Sequence, residues 1–446
     1  ERQRVDGTGT LMSETAVMRV ARLRSPRALV AAIVVGLVAA ALVVTPHRAE
    51  AAPAEGLACE TSPTNTFDLR TYTGYIFMPD GNSVFMWSYG TAQGGFQTPG
   101  PTLCVEEGAT VTVNLENTLA EPVSIAFPGM TDVQAGGQPA QPVIDGNGRV
   151  TSLVQPAPAK SGSTNGSVSY TFTADRPGTY LYTSGTDQAK QVQMGLYGAL
   201  IVRPAGHANW AYDSVATEFT PGREYLHVLS EIDPALHLAV ERRRTYDISS
   251  YRARYFLING RAMPDTLAPN DAAWLPGQPY GGTVHVQPDD VALIRYLNAG
   301  MKTYPFHPHG DDQRVIARDG SPLISPSGDL SYEKFLIDVG PGQTWDALFE
   351  WTDVEHWDPV SNPVPVELPP LNDQLISGDT WFSESPYLGY QGELPVNVTS
   401  NNACGEYYHV AHSHALEQAT NFGAAFGGMM TLIRIDPPAG CVSTAP

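Results

Sequence analysis

The stretch Thr102-Leu103-Cys104-Val105-Glu106-Glu107-Gly108-Ala109-Thr110-Val111-Thr112-Val113-Asn114-Leu115-Glu116-Asn117 holds two short apolar runs about an acidic Gly step, and it closes on an Asn. β-Branched residues alternating with polar ones read as strands, and Glu-Gly between them as a turn. The same plan returns in Val284-His285-Val286-Gln287-Pro288-Asp289-Asp290-Val291-Ala292-Leu293-Ile294-Arg295-Tyr296-Leu297-Asn298. Two copies of one strand-turn-strand unit in a chain of 446 residues predict an all-β protein of two tandem β-sandwiches, with a boundary near Pro204.

The rest of the chain agrees with that reading. Val168-Ser169-Tyr170-Thr171-Phe172-Thr173 is another strand pattern, and Gly, Pro and Asn turns separate such runs throughout. One helix is expected, Pro234 to Arg243, with Asp233 as its N-cap. The expected domains are residues 55–204 and 205–438. Residues 353–402 are rich in Pro, Asn and Ser without periodicity, and read as a long loop insertion in the second domain.

Residues 1–51 are expected to lie outside the fold. Arg19, Arg22, Arg24 and Arg27 precede an uncharged apolar run from Ala28 to Val44, and Ala49-Glu50-Ala51 has the small-x-small pattern of a cleavage site. The segment reads as a signal peptide with upstream residues, the other reading being a membrane anchor. Without it, 19 Lys and Arg face 42 Asp and Glu. That balance argues against nucleic acid or an anionic membrane surface as a partner. A secreted, extracytoplasmic protein follows, with no membrane contact once the leader is removed, and with cysteines in an oxidising compartment. Cys59 is expected to pair with Cys104 and Cys404 with Cys441. The rival reading makes Cys404 a thiolate metal ligand.

Eleven histidines occur, and four fall into two H-x-H pairs. One pair is His307 and His309 in Tyr304-Pro305-Phe306-His307-Pro308-His309-Gly310; the other is His412 and His414 in Tyr407-Tyr408-His409-Val410-Ala411-His412-Ser413-His414. On an extended strand, alternate residues share a face, so each pair presents two imidazoles side by side. Pro305 and Pro308 stiffen the first pair. Imidazole suits copper and zinc. His409 alternates to the other face and reads as structural. Asp311, Asp312, Glu406 and Glu417 are candidate carboxylates near the site. The bland alternative keeps His307 and His309 as hydrogen-bonded relics of a polar pocket.

Several stretches together resemble the multicopper oxidase family, laccase-like proteins built of cupredoxin domains. Pro99-Gly100-Pro101-Thr102 followed by Glu107-Gly108 is similar to the opening domain of the family. Gly178-Thr179-Tyr180-Leu181-Tyr182 and the run from Met194 to Val202 are similar to that domain's end, and Phe256-Leu257-Ile258-Asn259-Gly260-Arg261 to the entry of the next. Phe306-His307-Pro308-His309-Gly310 and the stretch from His412 to Met430 resemble the two C-terminal copper motifs. The resemblance implies Greek-key cupredoxin sandwiches and a copper cofactor. It also marks what is lost. Ala126 and Pro128 stand where the first H-x-H belongs, and Thr183-Ser184-Gly185 occupies the second. Tyr304, Ser413 and Gln418 replace the three principal ligands of the type 1 copper. By the same resemblance, His307 would serve the type 2 copper, and His309, His412 and His414 the type 3 pair.

A type 1 site needs a Cys thiolate, which serine cannot imitate. The expectation is therefore at most one copper, held by His307, His309, His412 and His414, with an oxidoreductase activity and its small-molecule substrate left open. The alternatives are a non-catalytic copper-binding or delivery protein, and a cupredoxin scaffold that has lost metal chemistry. Two-domain relatives form trimers that share a cluster between chains. A homotrimer stays open here, although the first domain has no ligands to share.

Overall fold

A computed structural model describes residues 56–352 and 407–436. The expected leader, the insertion at 353–402 and the Cys404–Cys441 pairing lie outside these residues.

Within the described residues, strands form two sandwiches of one design. In the first, a six-stranded sheet runs in the order Ser83–Thr91, Thr66–Phe77, Ala109–Asn117, Gly166–Ala174, Thr131–Ala135, Gln138–Pro139. A three-stranded sheet, Gly178–Thr183, Tyr197–Arg203, Leu103–Glu106, closes the other side. In the second, Gln313–Arg318, Thr344–Glu350, Val291–Asn298, Glu224–Ile232 and Tyr255–Ile258 are consecutive neighbours of a nine-stranded sheet. Its partner is a five-stranded sheet in the order Val284–Val286, Met430–Ile435, Tyr407–Ser413, Tyr304–Pro308, Ile337–Val339.

The repeated sequence plan does the same work in both sandwiches. Ala109–Asn117 pairs parallel with Thr66–Phe77, as Val291–Asn298 does with Glu224–Ile232. Leu103–Glu106 pairs parallel with Tyr197–Arg203, as Val284–Val286 does with Met430–Ile435. The terminal asparagines match as well. Asn117 donates to the carbonyls of Glu121 (2.8 Å) and Pro158 (2.9 Å), and Asn298 to those of Lys302 and Val339 (both 2.7 Å). Each Asn also accepts from the backbone amide two residues on, Leu119 or Gly300. Both side chains are fully buried, so these bonds satisfy groups that would otherwise be stranded without water.

Apolar residues alternate into each core as the strand period requires. Val111, Val113 and Leu115 meet Tyr170, Phe172 and Tyr182 in the first. Ile294, Tyr296, Tyr304, Phe306, Phe349 and Ile433 do so in the second. The two sandwiches join through a buried polar network. Arg295, with no solvent exposure, donates to Glu224 (2.8 Å) and Thr179 (2.7 Å), while Thr179 and Tyr212 donate to Asp346 (2.6 and 2.5 Å).

The expected helix is present over Pro234–Glu241, two residues shorter than the sequence suggests. Asp233 caps it by accepting from the amide of Ala235, and Pro234 at its first position costs no hydrogen bond. Cys59 and Cys104 form a disulfide.

Candidate metal centre

The four paired histidines meet on one sheet face. Tyr304–Pro308 and Tyr407–Ser413 are antiparallel neighbours whose register sets His307 directly opposite His412. On the first of these strands Tyr304 and Phe306 turn into the core, which sends His307 outward; His309 follows just beyond the strand's end. On the second, Ala411 and Ser413 are buried and His412 faces out. The ring centroids lie 4.7 Å apart for His307 and His309, 5.3 Å for His309 and His412, 5.5 Å for His307 and His414, and 5.9 Å for His412 and both His307 and His414.

Backbone carbonyls fix how two of these rings present themselves. His307 donates from Nδ1 to the carbonyl of Phe335 at 2.5 Å, and His412 from Nδ1 to that of Ser413 at 2.8 Å. The proton is thereby held on Nδ1, and Nε2 carries the lone pair. His309 Nε2 lies 3.3 Å from His412 Nε2. Two such nitrogens can share one proton or one metal ion. Burial pushes the pKa of both His307 and His412 down, and the neighbouring histidines add to the effect. Neutral imidazole, the ligand form, is favoured at both. Among the described residues, no three His, Cys, Asp or Glu side chains stand as a ready ligand set for one ion. The rings are neighbours, and the Nε2 atoms of His309 and His412 are in mutual contact.

Other candidates fall elsewhere. His409 faces the opposite side of its strand, with its ring 6.2 Å from that of Trp351. Gly310 leaves the His307 strand at φ +99°, and a Cβ there would come within 2.9 Å of the His409 ring, so both the backbone angle and the space call for glycine. Asp311 and Asp312 are exposed, and Asp312 is the least of the influences on His307. Glu417 is exposed in the short turn Leu416–Gln418, and Glu406 lies outside the described residues. From sequence, the run Phe426-Gly427-Gly428-Met429-Met430 reads as a strand entering the core, displaced from the axial Met position of the family it resembles; Met429 does enter the core, and Met430 does not. It opens the strand Met430–Ile435 directly opposite His412, so its side chain lies on the histidine face. Only the cross-strand register reveals this.

Of the three positions matched to a type 1 copper, Ser413 and Gln418 are joined by a hydrogen bond, while the buried Tyr304 hydroxyl has no hydrogen-bond partner among the described residues. Ser413 donates to Gln418 Oε1 at 2.5 Å, and Gln418 Nε2 donates to the carbonyl of Thr303 at 3.1 Å. Ser413, Gln418 and Tyr304 are all buried. In the first sandwich, Ala126 and Thr183 form a bridge, which places side by side the two stretches matched by resemblance to the first two H-x-H motifs. Next to them Ser124, Ser152 and Thr186 make a buried ring of hydroxyls, 2.9 to 3.1 Å apart. None of these groups is an imidazole or a thiolate.

Comparison with known proteins gives a consistent picture. A family profile described as "Multicopper oxidase" matches residues 91–207. Laccase-25 of Oryza sativa subsp. japonica is 29% identical over 257 residues, covering 56% of this chain and 38% of the laccase. Copper resistance protein A of Escherichia coli is 26% identical over 291 residues, covering 58% of this chain and 42% of that protein. The chain thus spans less than half the length of these curated relatives. Among solved structures, the multicopper oxidase mgLAC superposes with a TM-score of 0.56 at 21% identity, covering 85% of this chain and 88% of that one. The blue copper oxidase of Nitrosomonas europaea does so with a TM-score of 0.54 at 20% identity, covering 84% and 86%. These superpositions support the cupredoxin sandwich fold.

Proposed function

We propose that this protein, a divergent member of the multicopper oxidase family, is an exported protein that binds a single copper ion through His307, His309, His412 and His414 of its second sandwich. The observation that carries this reading is the meeting of His309 Nε2 and His412 Nε2 at 3.3 Å. Two nitrogens each about 2.0–2.1 Å from one ion lie about 3.3 Å apart when their bonds subtend a tetrahedral angle. The donor set suits copper, since the imidazoles of His307 and His412 are held neutral with Nε2 as the lone-pair atom. When bound, copper would supply one-electron redox chemistry.

The chain's own residues do the rest. The Phe335 and Ser413 carbonyls orient the rings, and Pro305 and Pro308 stiffen the strand that carries His307. Ser413, Gln418 and Thr303 close the position from which a type 1 copper would feed electrons inward. That closure favours a second reading of the same site, in which copper is held or handed on without turnover. We read residues 1–51 as a cleaved leader and 55–204 and 205–438 as the two domains. All four ligands come from one chain, so the site needs no trimer.

Electron paramagnetic resonance of the protein loaded with excess Cu(II) tests the assignment. Imidazole nitrogen coupling is expected in the wild type and should disappear in the His309→Ala/His412→Ala variant. An identical spectrum in that variant would move the copper elsewhere.

A further inference from the structure

We infer that this site is built for the cuprous ion and that Met430 supplies it with a thioether. The inference rests on the proposed copper site and adds a ligand and an oxidation state to it.

Three observations lead there. The first is register. His307 stands opposite His412, and His412 opposite Met430, on three adjacent strands of one sheet. Residues directly opposite one another on antiparallel strands have Cβ atoms about 4.5–5.5 Å apart on the same face. A row of imidazole, imidazole and thioether therefore crosses the sheet. Met429, by contrast, is fully buried in the core of the second sandwich, so the register gives the two methionines different surroundings. Thioether sulfur is a soft ligand that selects Cu(I).

The second observation is the nitrogen pair. Cu(II) prefers a square-planar or tetragonal site, in which adjacent ligand nitrogens would be about 2.9 Å apart. The 3.3 Å between His309 and His412 Nε2 matches the wider angle of a tetrahedral ion. Cu(I), with a filled d shell, has no preference that the wider angle would violate.

The third is charge. The row of His307, His412 and Met430 contains no carboxylate and no thiolate, and Asp311, Asp312 and Glu417 are exposed. Desolvating a doubly charged ion costs more than a singly charged one when no anionic ligand offsets it.

Affinities of both oxidation states in the full chain test the inference, with Cu(I) measured by competition against a chromophoric cuprous chelator under reducing anaerobic conditions. Wild type is expected to bind Cu(I) at least 100-fold more tightly than Cu(II). That ratio corresponds to a reduction potential about 120 mV above that of free copper, at about 59 mV per tenfold for one electron. Met430→Leu keeps the side-chain volume and should weaken Cu(I) at least tenfold while leaving Cu(II) within about threefold. X-ray absorption at the copper edge should show a sulfur scatterer in the cuprous wild type and none in Met430→Leu. Cu(II) binding as tightly as Cu(I), or a Met430→Leu variant with unchanged Cu(I) affinity, would overturn the inference while leaving the copper site standing. Loss of neither ion in His309→Ala/His412→Ala would remove the site itself, and the inference with it.

Discussion

Ser413→Ala asks whether the position matched to the copper thiolate has become structural. Ser413 has no solvent exposure, and its hydroxyl donates to Gln418 Oε1 at 2.5 Å. Gln418 is 4% exposed and commits its amide to the carbonyl of Thr303. Deleting the hydroxyl leaves Gln418 Oε1 buried without that donor, a cost of about 1–3 kcal/mol. With about 2 kcal/mol lost and a melting shift of about 2–4 °C per kcal/mol for a unit of roughly 200 residues, Tm should fall by about 4–8 °C. Gln418→Leu added to Ser413→Ala removes the stranded acceptor, so the double variant should lose less than the two single losses combined. Calorimetry and urea unfolding read the stability, and copper content reads the site. Copper content should not change, because the histidines face the other side of the sheet from Ser413. A Ser413→Ala protein as stable as wild type, or one that loses copper, would refute the reasoning.

Acid should destabilise the fold through His227 and His237. Both are buried, and burial lowers their pKa from 6.5 to about 4. Their contribution is complete above pH 6.5 and is lost as pH falls towards 4, because the unfolded chain takes up the protons first. Between pH 7 and 5 each should cost about 2 kcal/mol, and His237→Gln should remove one such share of the pH dependence in urea titrations. The Cys59–Cys104 disulfide closes a separation of 45 residues, so Cys59→Ser/Cys104→Ser should lower stability by about 4 kcal/mol in denaturant. Arg295→Met removes the buried cation beside Glu224 and Asp346, leaving Glu224 with Arg203 and Asp346 with Thr179 and Tyr212, and should cost about 3 kcal/mol, read by the urea midpoint.

The β pattern and the repeat were legible because strand alternation and the closing Asn recur in both copies. Asn117 and Asn298 turn out to bond in the same way, so the likeness of sequence reflects a likeness of task. The histidines were legible for the same reason, since alternation alone puts His307 and His412 outside and His409 inside. What alternation cannot give is which strand lies beside which. Met430 follows buried Met429 in a run that reads as core, and only its pairing with His412 brings it to the histidine face. The Ser413–Gln418–Thr303 closure was hidden too: the sequence shows which ligands are missing, and the structure shows what occupies their place.

Metal content per chain after copper loading tests the central claim most directly, with the wild type measured beside His307→Ala/His309→Ala and with its visible absorption recorded. One copper per wild-type chain, far less in the variant, and no intense blue band are the expected results. Three coppers per chain with a blue band, or equal copper in both proteins, would contradict the account.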